Sequence, residues 1–291
     1  MTLRQILRLA PLLAPFGILL AGGVGLTVAQ SLGVLLPVPV PGGPLEGYRA
    51  VLSAPGFWET CLFSLGVALA SALLSVATGT WLGYALWRLP PQMRRLGIVY
   101  KLQLILPHLS VAFVVLLFWS PTGILASVLY QLGLLETPDQ FPNILYSGYG
   151  LGMILAYTCK GVPFVMLLVL ALLARFDRRQ LATARMLGAG WWQTARYVLY
   201  PHLRPATHTS FIILFLYSFG AFDIPFILGE SRPGMLSIAV FNRYFKSPLD
   251  KRPEAMAMLV IMFLFAATFI VLYGRIVRHI DNAARKLYPM R

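Results

Sequence analysis

Charge is what this sequence has least of. Only 12% of its 291 residues are Asp, Glu, Lys or Arg, where a water-soluble domain carries about a quarter. Acidic side chains are the scarcest, ten in all. Most of them lie in short stretches between apolar runs, and no nucleophile–base arrangement is visible. The four histidines, His108, His202, His208 and His279, are scattered and lack metal-ligand spacing. The two cysteines, Cys61 and Cys159, both sit in apolar runs and are read as packing residues rather than a disulfide or a metal pair. No Gly-x-x-x-x-Gly-Lys-Ser/Thr loop occurs, so the chain binds no ATP by that motif. These absences argue against a soluble domain and leave no catalytic residue, metal ligand or cofactor to assign within the chain.

What the sequence has in quantity is hydrophobic surface, 58% of its residues. A membrane-spanning helix needs roughly 20 mostly apolar residues. Such runs are expected at about 11–35, 60–86, 102–122, 149–174, 207–229 and 255–274, with a further apolar segment after Pro121. They are too long for half-buried strands, so the fold expected is all-α, a polytopic membrane protein of six helices. The first run follows Arg4 and Arg8 in the manner of a signal peptide, but it is too long for a signal core and no small-x-small site follows it.

Lys and Arg set the orientation. With the N-terminus cytoplasmic, seventeen of the 24 basic residues fall on the inner side and six on the outer, while seven acidic residues are outer and two inner. The inner side then carries a net +15 and the outer −1, which places both termini in the cytoplasm. This asymmetry also accounts for the basic composition without a nucleic-acid partner. The expected outer loops, 36–59, 123–148 and 230–254, are Pro- and Gly-rich. The inner loops are 88–101 and 175–206. The organisation expected is an N-terminal helix and first outer loop (1–56), a five-helix core (57–275) and a cytoplasmic tail (276–291).

The 175–206 loop holds the stretch LATARMLGAGWWQTARYVLYPHLRP. Residues 178–187 favour a helix, Gly188-Ala-Gly190 interrupts it, and 191–200 favour a second. Trp191, Ala195, Val198 and Leu199 would share one face of that second helix. Pro201 and Pro205 are expected to end it before the fifth span. Small residues would let another backbone come close, and Trp191-Trp192 with the arginines supply interface anchors. A helix lying on lipid headgroups is the other reading. It does not require the glycine break, which favours a protein partner.

The spacing of this stretch resembles the signature of permease subunits of binding-protein-dependent (type I) ABC importers: Glu-Ala-Ala, three residues, Gly, nine residues, Ile-x-Leu-Pro. Here Ala182-Thr183-Ala184 is followed by Gly188 and by Val198-Leu199-Tyr200-Pro201, with Ala182, Thr183 and Tyr200 replacing the signature's Glu, Ala and Leu. The segments KGVPF (160–164), SFGAFDIPFILG (218–229) and RPEAMAM (252–258) look most similar to the spermidine/putrescine-type branch. The resemblance implies a bacterial inner-membrane permease whose 175–206 loop docks in a separate ABC ATPase dimer. It implies ATP and Mg bound by that ATPase, a second permease subunit, and an external binding protein delivering a small solute, a polyamine or a relative. Ala182, Thr183, Ala184, Arg185, Gly188, Ala189, Trp191, Trp192 and Pro201 would then form the coupling surface.

Lys160 and Asp223 are charges inside spans, costly in lipid and therefore expected to face a cavity or each other. At about 1.5 Å per residue they lie at similar depth. Either they pair, or Asp223 faces a translocation path together with Lys160, Phe219, Phe222 and Phe226. Gly220 and Pro225 could bend or unwind the fifth span there. Helix packing is the competing role for the three phenylalanines. A stand-alone carrier using Lys160 and Asp223 is the alternative function, one that has no need of a structured docking loop.

Overall fold

In the computed structural model, which describes residues 3–38, 42–90 and 92–287, the chain is helical and forms no strand among those residues. Arg291, counted above in the inner tail, lies outside them. The helices are α1 (Leu3–Ser31), α2 (Glu46–Leu52), α3 (Phe57–Arg88), α4 (Ile98–Ile105), α5 (His108–Trp119), α6 (Ile124–Gln131), α7 (Leu151–Leu173), α8 (Arg179–Met186), α9 (Trp191–Thr194), α10 (Tyr200–Gly220), α11 (Asp223–Leu228), α12 (Leu236–Phe245) and α13 (Arg252–Leu287). Five stretches among the described residues are long and apolar enough to cross a membrane: Leu13–Ser31, Phe57–Arg88, His108–Gln131, Leu151–Leu173 and Leu249–His279. The expected fifth span, 207–229, is instead divided between α10 and α11.

The chain forms two compact units, one of residues 1–58 with 238–291 and one of 59–237. In the first, α1 and α2 both pack on α13. Gly47 permits the α2 contact, because a Cβ there would meet the Pro253 backbone at 3.1 Å. Glu254, nearly buried, is held by Lys251 at 2.9 Å and Arg243 at 3.1 Å. A buried carboxylate with two cationic partners is compensated, where a lone one would be costly.

In the second unit α7 is the central helix, touching α4, α5, α10 and α11. It also packs closely against α3. The contact runs along Ser75, Gly79 and Gly83 of α3, opposite Gly161, Val165 and Val169 of α7, and Ser71, one turn earlier on α3, is also buried. The two serine hydroxyls donate back to carbonyls one turn earlier, Ser71 to Val67 at 2.6 Å and Ser75 to Ser71 at 2.7 Å, which removes their polarity from the interface. The glycines let Val165 and Val169 of α7 seat against bare backbone. Helices in lipid gain little from hydrophobic burial, so close van der Waals approach of this kind must hold them.

Two of the expected spans are broken. The third stops at Leu106, where Pro107 supplies no N–H, and restarts as α5. The expected continuous helix over 102–122 is corrected accordingly. The fifth stops at Gly220, becomes extended at Ala221 and restarts at Asp223. Pro225 sits in the first turn of α11, where its missing N–H costs nothing. Unwinding beside Gly220 is thus observed.

The expected stop at Pro201 and Pro205 is not. The helix begun at Trp191 passes through one π-helical turn (195–199) into α10, with both prolines inside it. Proline normally clashes with the carbonyl four residues back. The wider π turn immediately before Pro201 gives that carbonyl room, and a single such turn is a common way to absorb an irregularity in a helix.

A Cβ on Gly79 would lie 2.6 Å from the Val165 Cβ, whereas one on Gly22 of α1 meets nothing within 4 Å. Gly79→Leu is therefore expected to destabilise the fold by about 1–3 kcal/mol, the usual cost of overpacking. It should lower the melting temperature of the detergent-solubilised chain, while Gly22→Leu leaves it unchanged.

Candidate functional site

The stretch 175–206 forms an elbow. Asp177 opens it by accepting the Arg179 N–H at 2.9 Å, which starts α8. α8 ends in a paired-bond cap: Gly188 N–H donates to the Arg185 carbonyl (2.9 Å) and Ala189 N–H to the Ala184 carbonyl (3.0 Å). That Schellman geometry needs a left-handed residue, and Gly188 provides it at φ +82°. Gly190 is extended and starts α9, its N–H bonded by the Gln193 side chain at 2.9 Å. The two helices and the glycine break expected from sequence are thus present. On the outside of the bend Met186, Leu187 and Trp192 are 87%, 82% and 78% exposed, and Trp191 stands edge-on to Trp192 at 4.6 Å. That is a concentrated apolar and aromatic surface on a polar segment, the composition of a docking patch.

The remaining sequence-assigned residues lie on the same elbow. Ala182, Thr183 and Arg185 are exposed, Ala184 and Ala189 half-buried, and Pro201 is exposed at the start of α10. Of the face expected on the second helix, Leu199 is buried, Ala195 and Val198 are half-buried, and Trp191 is exposed.

The elbow is rooted in the helix ends by residues that sequence reasoning did not single out. Arg178 lays its guanidinium 4.3 Å over the Trp87 ring and donates to the Trp87 carbonyl at 2.9 Å, so one side chain both stacks on and caps the end of α3. Trp87 meets Phe176 edge-on, and Phe176 meets His202. His202 Nε2 lies 3.1 Å from the Leu172 carbonyl near the end of α7. Leu173, Leu199, Leu203 and Ala206 complete this core. Only a basic residue next to a helix end and a near-terminal Trp hinted at it, and both are common.

The second candidate region lies where the two broken helices meet α7. Lys160 and Asp223 form no ion pair. The Lys160 ammonium instead donates to the carbonyls of Gln103 (3.1 Å), Leu104 (3.1 Å) and Leu106 (2.5 Å). These are the groups that α4 leaves without helical partners when Pro107 stops it, and a cation at a helix C-terminus also suits its dipole.

Asp223 takes different partners. The Tyr217 hydroxyl donates to its two oxygens at 3.0 and 3.2 Å, and the Ile224 N–H donates to Oδ1 at 3.0 Å. His108, at the start of α5, has Nδ1 3.9 Å from Asp223 Oδ2 and its ring 4.6 Å from that of Tyr217. Sequence reading passed over His108 because an isolated histidine carries no spacing signal. Asp223 is about one-third exposed, so the carboxylate is reachable. The hydroxyls of Tyr157 and Thr158, on the same stretch of α7, are buried and accept or donate no hydrogen bond among the described residues.

The three phenylalanines divide. Phe219 is buried and stacks with Phe215 at 6.0 Å, so it is packing. Phe222 and Phe226 lie 5.0 Å apart, with Phe226 58% exposed.

A family model described as "Binding-protein-dependent transport system inner membrane component" matches residues 49–286. The chain is similar to the thiamine transport system permease protein ThiP of Escherichia coli (strain K12), 28% identical over 80% of this chain and 42% of that protein. It is 24% identical to the inner membrane ABC transporter permease protein YnjC of the same organism, over 92% of this chain and 52% of that one. It is 27% identical to the molybdenum transport system permease protein ModB of Azotobacter vinelandii, over 58% and 72%. The chain spans about half the length of the first of these relatives. A solved bacterial ABC transporter involved in the import of the acidic polysaccharide alginate shares the fold, with TM-score 0.73 and 16% identity over 95% of this chain and 98% of that one.

Replacing Lys160 by Met strips its cation from the three carbonyls. The expected result is a loss of about 2 kcal/mol in stability, the scale for hydrogen bonds to a charged group. Thermal unfolding in detergent should show it, and Lys160→Arg should recover part of the loss. An unchanged melting temperature for Lys160→Met would mean that the three bonds contribute nothing.

Proposed function

The chain belongs to the binding-protein-dependent transport system inner membrane component family, and from that membership we propose that it forms half of the pore of an ABC importer. It is a multi-pass protein of the bacterial inner membrane. In this reading six spans cross the bilayer with both termini inside, α10 and α11 together making the fifth. A second permease subunit, identical or homologous, completes the pore. An external binding protein delivers the solute to the outer loops. A separate ATPase dimer binds ATP and Mg, and its closure presses on the 175–206 elbow.

The observation that carries the coupling role is the elbow itself. Its bend is fixed by the Gly188 cap, its outer surface is apolar and aromatic, and its root bonds to the ends of α3 (Arg178 to Trp87) and α7 (His202 to Leu172) and runs on into α10. A push on Trp192 is transmitted to three membrane helices through packed side chains. A free amphipathic helix on lipid would have no such root.

The solute we propose is a small organic cation, the class to which polyamines belong. Asp223 supports this: it is a reachable carboxylate at the junction of two broken helices, beside Tyr217, His108 and the Phe222–Phe226 pair. Unwound helix segments are where transporters commonly place solute sites, and aromatic faces favour cations. Tyr157 of α7 stands edge-on to Tyr217 at 6.2 Å and backs the junction from behind. The stand-alone carrier is less well supported, because Lys160, one of its two required charges, is engaged by the α4 carbonyls.

Two variants separate these roles in proteoliposomes containing the complete transporter. Trp192→Ala should cut binding-protein-stimulated ATPase activity and uptake together by about tenfold or more, as expected for an interface anchor. Asp223→Asn should raise the KM for a cationic solute by about tenfold while leaving attachment of the ATPase intact. Normal uptake and solute preference in Asp223→Asn would remove Asp223 from the path. Ion-driven uptake by the chain without any ATPase would overturn the importer reading.

A further inference from the structure

Beside the root of the elbow lies a cleft of about 820 Å³. The ends of α3 and α7 form one side, and the segment 95–101 forms the other. Its charged lining is of one sign, namely Arg95, Lys101 and Arg178, and no acidic residue contributes. Arg178 is engaged with Trp87, but Arg95 and Lys101 make no ion pair with a described residue. The rest of the wall is apolar or aromatic, including Ile98, Tyr100, Leu170 and Leu173. Along α4 that apolar surface continues outward through Ile98 and Leu102, 63% and 58% exposed.

A basic rim above an apolar wall, at the level where α3 and α7 end, suits an amphiphile with a negative head. We propose that this cleft binds an anionic phospholipid of the cytoplasmic leaflet. Its phosphate sits between Arg95 and Lys101, and its acyl chains run along Ile98, Leu170 and Leu173. A soluble phosphate would gain nothing from the apolar wall, whereas a lipid in the inner leaflet reaches the rim with its tails already in the hydrocarbon. The bound lipid also adjoins Arg178, the residue that ties the elbow to α3, so its occupancy bears on the stiffness of the coupling root. This inference rests on the cytoplasmic placement of residues 88–101 and 175–206 proposed above.

Native mass spectrometry of the full chain with phosphatidylglycerol or phosphatidylcholine tests it. The expected result is preferential retention of one phosphatidylglycerol. R95Q/K101Q should lower that retention about 30-fold, at about 1 kcal/mol for each basic residue near the headgroup. R275Q/R278Q, on α13, should leave it unchanged. If the double variant is not recovered folded, the single variants R95Q and K101Q should each lower it about fivefold, and R95K/K101R should retain it. Equal losses in the α13 variant, no preference for the anionic lipid, or displacement by glycerol 3-phosphate alone would overturn the lipid site. Orientation is read separately: Lys101→Cys in a Cys61→Ser, Cys159→Ser background should react with an impermeant maleimide only from the cytoplasmic side. Reaction from outside would overturn the placement on which the proposal rests.

Discussion

A helix broken inside a bilayer has no water to complete its backbone hydrogen bonds, so the protein must supply the partners. This chain breaks two helices at the same place in the fold, α4 from α5 at Leu106–Pro107 and α10 from α11 at Ala221–Phe222. The first break is closed by the Lys160 ammonium on three carbonyls. At the second, the Ala221 N–H still bonds the Tyr217 carbonyl, and Asp223 accepts the Ile224 N–H and the Tyr217 hydroxyl. Lys160 and Asp223, the two charges that the sequence pattern puts inside spans, therefore each serve the end of a helix. That arrangement brings His108, Tyr217 and Asp223 together on α7, and the polar junction follows from it.

The same economy operates at the other end of the unit. α3 and α7 approach closely because Gly79, Gly83 and Gly161 leave no side chain between them. Their lower ends then sit close enough for Trp87, Phe176 and Leu173 to form one core with Leu199 and Leu203 of the elbow. Arg178 locks that core to α3 with a stack and a hydrogen bond. A packed core is bistable rather than soft, so in the importer reading proposed above, force on the elbow would move helices instead of deforming the loop.

Much of this was legible in residue order. Apolar runs of sufficient length located the helices, and Gly188-Ala-Gly190 marked the bend, because few residues other than glycine adopt the left-handed cap conformation. Gly220 and Pro225 marked the second break. The proline rule failed at Pro201 and Pro205, where a π turn made room that no local pattern announces. Pairing of Lys160 with Asp223 was suggested by depth alone. Depth does not say which way a side chain turns, and the carbonyls left free at Pro107 were the nearer partners.

What residue order alone determined were the properties that are local or additive: hydrophobicity enough for a membrane, helices rather than strands, the asymmetry of charge, and the glycine-capped elbow. Tertiary structure decided which groups meet. Lys160 bonds carbonyls more than fifty positions away, and Arg178 reaches Trp87 across ninety-one. Partners so far apart leave no periodic trace, because their choice depends on how α3, α4 and α10 are arranged around α7 and not on any neighbouring residue.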